Sequence, residues 1–310
     1  NCCFRFNRAY SKDELPKRKK LFQDNIKLAQ KHSNGDVGHT ASFGMTNYSD
    51  WTQYEIQSHL LGTFDVSSRN VPSCQFASPT LLANLPASVD WRDRTNGNNQ
   101  PVLTPIKNQG ECGSCWAFSG TEVIESSWIM ANRTMIGTDG SLSVMRVIEC
   151  AGLHESNRYC NGGISGDVLE YALKYAVPAE AVDPYKCFTR GACDSPTCTA
   201  GENLRPTSAN GAFLTDTCTR GFITPSGGNC SNCTKVDEAG LMYALDKYGP
   251  ISVGVDARAW YQYQSGVIRN HCEYSTNHAV VLVGYGSEIM PDGVIDYWIV
   301  RNSWGPEWGE

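Results

Sequence analysis

The sequence predicts an α+β fold, with a helical lobe and a β-rich lobe on either side of a cleft and a separate charged helical segment in front. Three observations carry this. Apolar residues recur at helical spacing along residues 11–33 and again from Cys115 to about Ala131. Beyond Lys235 they gather instead in short β-rich runs, Ile251–Val255, Ala279–Val283 and Tyr297–Val300. Between the two helical stretches, residues 62–84 are rich in Ser, Pro, Asn and Thr without periodicity, the composition of an exposed linker open to cleavage.

Taken in order, the first helix sets Leu15, Phe22, Ile26 and Ala29 on one face among lysines and glutamates. Residues 43–56 read as a short extended stretch followed by a helix starting at Trp51, capped by Ser49 or Asp50. A different kind of sequence begins at Leu85. The long helix from Cys115 offers Phe118, Val123, Ile124 and Trp128 for burial. Residues 183–235 are loop-like, dense in Gly, Thr, Ser, Asn and Cys, and no internal repeat is evident.

The 310 residues, 41% of them hydrophobic, suit one large soluble domain or two modest ones. No apolar run approaches the ~20 residues a membrane span needs. Asn1–Phe6 lacks the apolar core of a signal peptide. Residues 1–84 carry 10 basic and 7 acidic side chains, whereas the remainder carries 16 and 25. The two parts should therefore attract each other, and nucleic acid is not expected as a partner of the acidic part. Fourteen cysteines point to an oxidising compartment. Asn-x-Ser/Thr sequons at Asn47, Asn132, Asn229 and Asn232 agree with passage through the secretory pathway.

The chemistry concentrates in three places. Cys115 heads a helix, where the positive end of the dipole favours thiolate over thiol, with Gln109 just upstream. His278 precedes an apolar run, and Asn302 lies in Arg301-Asn-Ser-Trp-Gly305. Cysteine, histidine and asparagine in these settings read as a nucleophile, its base and the group that orients the base. Singly they have plainer readings: a disulfide cysteine, a core histidine, ordinary polar side chains. Only His154, His271 and His278 lie beyond residue 84.

The local motifs are specific. Residues 109–119 read Gln-Gly-Glu-Cys-Gly-Ser-Cys-Trp-Ala-Phe-Ser, and Cys160-Asn-Gly-Gly163 follows. Asn277-His-Ala279 leads into Gly284-Tyr-Gly286, and Asn302-Ser-Trp-Gly305 into Trp308-Gly-Glu310. On these the chain resembles the papain-like (C1) cysteine proteases, cathepsin L-like branch, in proenzyme form and over almost its whole length. Residues 1–84 resemble that branch's inhibitory propeptide. Its helix motif is matched at Glu14, Arg18, Phe22 and Asn25 but departs at Ala29 and Ser33; a second motif is matched at Gly44, Thr46, Tyr48 and Asp50. The resemblance implies cleavage near 81–85 and a catalytic domain over 85–310, papain-like, with a helical left lobe and a β-barrel-like right lobe.

By that resemblance Cys115 attacks as thiolate and forms a thioester, while His278 is its imidazolium partner and protonates the leaving amine. A His-paired thiol in such a site can have a pKa of ~3–4 against ~8.5 when free, as in papain itself. Gln109 and the Cys115 backbone N–H would stabilise the oxyanion, one such donor being worth ~2.7–4 kcal/mol. Asn302 would fix the imidazole, and Trp304 would shield that bond from water. Gly162 and Gly163 would bind substrate backbone in extended form. The pocket for the second residue on the acyl side would be lined by Ile164, Ser165, Gly254, Thr276 and Ala279, small and neutral enough for an apolar or aromatic side chain.

The resemblance also implies bridges Cys112–Cys160 and Cys150–Cys193. The family's closing strand, which would hold the partner of Cys272, falls beyond Glu310. A cysteine-rich insertion spans about 187–233 and contains Cys187, Cys193, Cys198, Cys218, Cys230 and Cys233. Cys230-Ser-Asn-Cys233 has no second ligand pair at zinc spacing, so a disulfide-stapled loop is the simpler reading. No histidine occurs between Lys186 and Pro250, so the histidine-loop carboxydipeptidase activity of cathepsin B is not expected.

The expected function is thus a thiol-dependent endopeptidase made as a zymogen and activated by acid-promoted propeptide removal, without metal or cofactor. Expected partners are protein and peptide substrates, the chain's own propeptide and cystatin-type inhibitors, acting on a lysosomal or extracellular monomer. The alternative is a catalytically silent binding or regulatory protein on the protease fold. A transglutaminase-like acyltransferase would lack both the Cys-Gly-Ser-Cys-Trp signature and the propeptide.

Overall fold

The structure, a computed structural model, describes residues 8–35, 40–62, 84–133, 136–151, 158–189, 191, 193, 198, 238–269, 276–290 and 293–310. The 62–84 linker apart from its ends, most of the cysteine-rich insertion, the sequons at Asn229 and Asn232, and Cys272 lie outside them.

The N-terminal part consists of α1 (Leu15–Gly35), the two-residue strand β1 (Ser42–Phe43), the single turn α2 (Gln53–Glu55) and a π turn, Ile56–Leu60. On α1 the apolar face is narrower than expected: Ala29 is fully buried, but Leu15 at the first turn is 45% exposed. An ionic network fixes the hairpin. Arg18 reaches Glu14 at 3.0 Å, Glu55 at 2.6 Å and the Asp50 carbonyl at 3.1 Å. The Asn25 amide donates to the carbonyls of Ser49 and Trp51.

The expected helix start moves by two residues. Thr52 is the cap, forming a reciprocal box with Glu55 in which each side chain accepts the other's backbone N–H. Ser49 and Asp50 are committed elsewhere: the Ser49 hydroxyl accepts from the Thr46 N–H at 2.9 Å, and Asp50 accepts from the Tyr10 hydroxyl at 2.6 Å.

The larger C-terminal part is built on α3 (Cys115–Met130), close to the expected Cys115–Ala131 helix and buried on nearly every side. It packs against α5 (Ser165–Lys174), α4 (Val144–Ala151) and the sheet. Contact between α3 and α5 requires Gly120, where an added Cβ would fall 2.7 Å from Val168 Cβ. Further on, α6 (Glu238–Tyr248) leads into β3 (Ile251–Val255), and β4 (Tyr263–Ser265) follows.

The sheet centres on the long strand β5 (His278–Met290). Both β2 (Val89–Asp90) and β3 pair antiparallel along one edge of it, and β6 (Gly293–Arg301) pairs along the other. Strands β5 and β6 outrun their apolar cores because Ser287–Met290 pairs with Gly293–Asp296 as a ribbon that, apart from Ile295, faces solvent. Among the described residues this sheet is open at its edges, an antiparallel layer rather than a closed barrel. A separate ladder joins β1 to β4, so the N-terminal part adds a strand to the larger part.

Disulfide pairing agrees with expectation at Cys112–Cys160 and differs at Cys150. Cys150 on α4 pairs with Cys198, while Cys193 pairs with Cys187 only six residues away. The chain after Tyr185 folds back on itself, bringing the Cys187 and Cys193 Cα atoms to 5.5 Å. That consumes Cys193 locally and leaves Cys198 for Cys150.

Candidate active site

Cys115 is the first residue of α3, fully buried, and a free cysteine. The reading of it as a bridging cysteine is thereby excluded. The backbone groups of Ala279, Trp116, Cys115 itself and Gly62 lie close enough to its sulfur to favour the thiolate. Ala279, which follows the first residue of β5, His278, is thereby brought close to the Cys115 sulfur.

Antiparallel pairing of Val281 with Arg301 carries the residue after β6, Asn302, to the start of β5. There His278 Nε2 and Asn302 Oδ1 lie 2.8 Å apart. Oδ1 also accepts from the Ser303 N–H at 2.8 Å, which fixes it as an acceptor and makes Nε2 the protonated nitrogen. Nδ1 is buried with no hydrogen-bond partner among the described residues, so its lone pair is the one free to take a proton. The Trp304 ring lies 5.0 Å from the imidazole and is itself fully buried, closing this bond to water. Arg301 anchors the asparagine's strand end, donating to the Thr104 and Pro105 carbonyls at 2.9 and 2.8 Å and to Glu122 on α3 at 3.1 Å.

Gln109 can be accounted for atom by atom. Its N–H donates to the Ser303 carbonyl at 2.8 Å, and its Oε1 accepts from the Ser303 hydroxyl at 2.7 Å. Its own carbonyl accepts from the Tyr185 hydroxyl at 2.7 Å. One amide proton goes to the Cys112 carbonyl at 2.8 Å. The remaining donation runs to the Leu60 carbonyl at 3.0 Å, from the N-terminal part of the chain. With Leu60 gone, a fixed N–H donor would face the groove beside Cys115.

That groove is filled by residues 60–62. The Gly62 N–H donates to the Asn277 carbonyl at 2.8 Å. A Cβ at Gly62 would lie 3.1 Å from Gly162 Cα, 3.4 Å from Cys115 Sγ and 3.4 Å from the Gly113 carbonyl. Behind it, Tyr48, Trp51, Ile56, Leu60 and Leu61 form one apolar cluster with Ala257, Tyr261 and Trp304. Tyr48 packs edge-on against Trp304 at 5.7 Å, and Thr46 donates to the Tyr261 carbonyl at 2.6 Å.

This cover controls the charge state beneath it. Burial pushes the Cys115 thiol up to about 11, against the lowering effect of the surrounding backbone donors. Burial likewise pulls His278 down to about 4, although its bond to Asn302 works the other way. The covered pair is therefore thiol plus neutral imidazole over most of the pH range, not the ion pair that attack requires.

Gly162 lies against Gly62 on the groove. Ala279 and Gly254 pair across β5 and β3, and Gly254 faces Thr276, its built Cβ lying 3.5 Å from Thr276 Cβ. Ile164 is buried at the head of α5. Ser165 directs its hydroxyl to Ser119 at 2.8 Å, and Ser252 bonds Ser119 at 3.0 Å, so Ser165 lends the groove no free polar group.

Sequence reasoning missed Tyr185, Ser303, Leu60 and Gly62. Ser303 was within a recognised motif, adjoining Asn302. Gly62 sat at the edge of what reads as linker, and only the apolar pair Leu60-Leu61 before it hinted at burial.

Comparison with known proteins agrees with this geometry. Residues 85–310 match the description Papain family cysteine protease, and residues 3–56 match Cathepsin propeptide inhibitor domain (I29). Germination-specific cysteine protease 1 of Arabidopsis thaliana is 34% identical over 306 residues, covering 96% of this chain and 71% of that protein. Cysteine proteinase COT44 of Brassica napus is 32% identical, covering 94% and 79%. Among solved structures, a recombinant stem bromelain precursor superposes with a TM-score of 0.74 at 28% identity, over 99% of this chain and 86% of that one.

Proposed function

The chain belongs to the papain family of cysteine proteases and carries that family's propeptide inhibitor domain, and on that basis we propose how its own residues cut a peptide bond. Once residues 60–62 leave the groove, water and substrate reach the pair, and the proton passes from Cys115 to Nδ1 of His278. The thiolate attacks the scissile carbonyl carbon. Negative charge builds on the carbonyl oxygen between the Gln109 amide and the Cys115 N–H, donors placed before the reaction begins. The tetrahedral adduct collapses as the imidazolium protonates the leaving amine, giving a thioester on Cys115. His278 then takes a proton from water, the hydroxide displaces the thiolate, and the acid product departs.

The observation that supports this most is the tautomer. Asn302 claims the protonated nitrogen of His278 and leaves the other free, and Cys115 is itself a free cysteine. The same proton is held on sulfur in the covered form and on imidazole in the open one. Uncovering the groove therefore activates the pair without exchanging a proton with solvent. The acid trigger must then lie in carboxylates of the acidic larger part, since Glu55 of the Arg18 network stays ionised well below pH 4.

The domain boundary follows: residues 1–84 as inhibitor, cleaved near 81–85, and 85–310 as enzyme. Gly162 and Gly163 pair with extended substrate backbone, and the Ile164–Gly254–Thr276–Ala279 pocket takes an apolar or aromatic side chain. The cysteine usage fits a secreted, lysosomal or vacuolar monomer that cystatin-type inhibitors could enter by the same groove. Of the described sequons, Asn132 is exposed and suits a glycan. Asn47 suits one less, because Ser49 of its sequon is fully buried and engaged by Thr46. The silent-scaffold alternative has no observation in its favour.

The test is peptide hydrolysis by acid-processed protein. Cys115→Ala and His278→Ala should each abolish turnover, and Gln109→Ala should lower kcat by about 10²–10³-fold. Full activity in any of the three would remove that residue from the mechanism.

A further inference from the structure

We propose that Tyr185 is a positioning residue for peptide hydrolysis, its phenol holding together the two parts of the oxyanion site. The proposal rests on Gln109 acting as an oxyanion donor. Tyr185 lies 76 residues from Gln109, in the loop after α5, and is 7% exposed. Its hydroxyl donates to the Gln109 carbonyl at 2.7 Å and lies 3.0 Å from the Ser114 hydroxyl, from which it accepts. Ser114 precedes the nucleophile and is the N-cap residue of α3, yet its side chain makes no capping bond. One phenol thus spans the residue that supplies the amide donor and the residue before the one that supplies the backbone donor.

The phenol is itself held firmly. Its ring packs edge-on against Phe118 of α3 at 4.9 Å and against Phe188 at 5.1 Å. The backbone of Phe188 lies directly on Gly110, where an added Cβ would fall 2.5 Å from Phe188 Cα, and the Phe188 carbonyl accepts from the Glu111 N–H at 3.3 Å. The Cys187–Cys193 bridge closes the loop that carries Phe188. Residues 109–111 therefore rest on the 185–188 segment as well as on Ser303, Cys112 and Asn108. A site that stabilises a developing charge with fixed donors loses rate when those donors drift by a fraction of an ångström. Tyr185 touches neither substrate nor reacting atoms and acts through Gln109 and Ser114.

The experiment compares acid-processed wild type with Tyr185→Phe, Ser114→Ala and Gln109→Ala. Tyr185→Phe keeps the ring and removes only the hydroxyl. The expected result is about a tenfold fall in kcat with KM unchanged. Affinity for a peptide aldehyde, whose thiohemiacetal places an oxyanion in the same site, should fall by the same factor. Alkylation of Cys115 by iodoacetamide, which builds no oxyanion, should keep its rate. Ser114→Ala should repeat this pattern more weakly. Unchanged kcat and aldehyde affinity in Tyr185→Phe would overturn the proposal, as would a parallel loss of alkylation rate and thermal stability, the mark of a general packing role. If Gln109→Ala leaves aldehyde affinity intact, the oxyanion reading of Gln109 fails and takes the proposal with it. If Gln109→Ala weakens the aldehyde and Tyr185→Phe does not, only the role of Tyr185 falls.

Discussion

Gly62 is the point at which latency can be broken with a single methyl group. It is wedged between Gly162, the Gly113 carbonyl and the Cys115 sulfur, and an alanine Cβ would sit 3.1, 3.4 and 3.4 Å from them respectively. Two of these neighbours are backbone of the loop pinned by the Cys112–Cys160 bridge, so they have little room to yield. Overpacking of this kind typically costs ~1–3 kcal/mol. The cost falls on the covered state alone, because in the open state residue 62 faces solvent. At 1.4 kcal/mol per tenfold, Gly62→Ala should raise the open fraction of the intact proenzyme by about 5- to 150-fold. Gly62→Val should raise it further.

The assay is the alkylation rate of Cys115 at neutral pH, read by mass spectrometry on the uncleaved chain so that processed enzyme does not contribute. The proenzyme must also keep its cooperative thermal transition, which separates local opening from global unfolding. A Gly62→Ala proenzyme alkylated no faster than wild type would refute the placement of this segment over the sulfur.

Two further expectations concern pH and stability. Burial alone would raise the Glu55 carboxyl, but hydrogen bonds from Arg18 and Thr52 outweigh it and hold it at about 2 against an ordinary 4.5. A depressed carboxylate contributes its full stability above the ordinary value and loses it as pH falls toward 2, so at pH 4–5 Glu55 still holds the propeptide together. Glu55→Gln should therefore shift propeptide release to higher pH, measured as the pH at which half the chain is processed in a fixed time; an unchanged midpoint would contradict this. Arg301→Met leaves Glu122 buried without its partner and should cost ~3–5 kcal/mol, read from urea unfolding of the proenzyme, whereas a loss within 0.5 kcal/mol would show the pair to be dispensable.

Much of the site was legible in the sequence because its chemistry is written locally. Cys115 needs a helix start, His278 a strand start and Asn302 a strand end, and each is visible from its flanking residues. What escaped was set by contacts distant in the chain. Ser49 and Asp50 looked like helix caps, but Thr46 and Tyr10 claim them and the cap passes to Thr52. Cys193 looked like the partner of Cys150 until a loop closing over six residues took it. Tyr185 reads as one tyrosine among many until its hydroxyl is seen beneath Gln109. The inhibitory contact of Leu60 and Gly62 depends on where the chain crosses the groove, which periodicity does not encode. Strand β5 exceeded its apolar run because pairing with β6 alone sustains its solvent-facing half.

The most direct measurement is labelling with an epoxysuccinyl thiol-protease inhibitor before and after acid processing, followed by peptide mapping. Cys115 should be silent in the intact chain, where Gly62 covers it. After residues 1–84 are removed it should carry one adduct per molecule, lost in Cys115→Ala. An adduct formed equally fast before processing, or one absent from Cys115 in a processed and folded enzyme, would contradict the account of a covered cysteine that becomes the nucleophile.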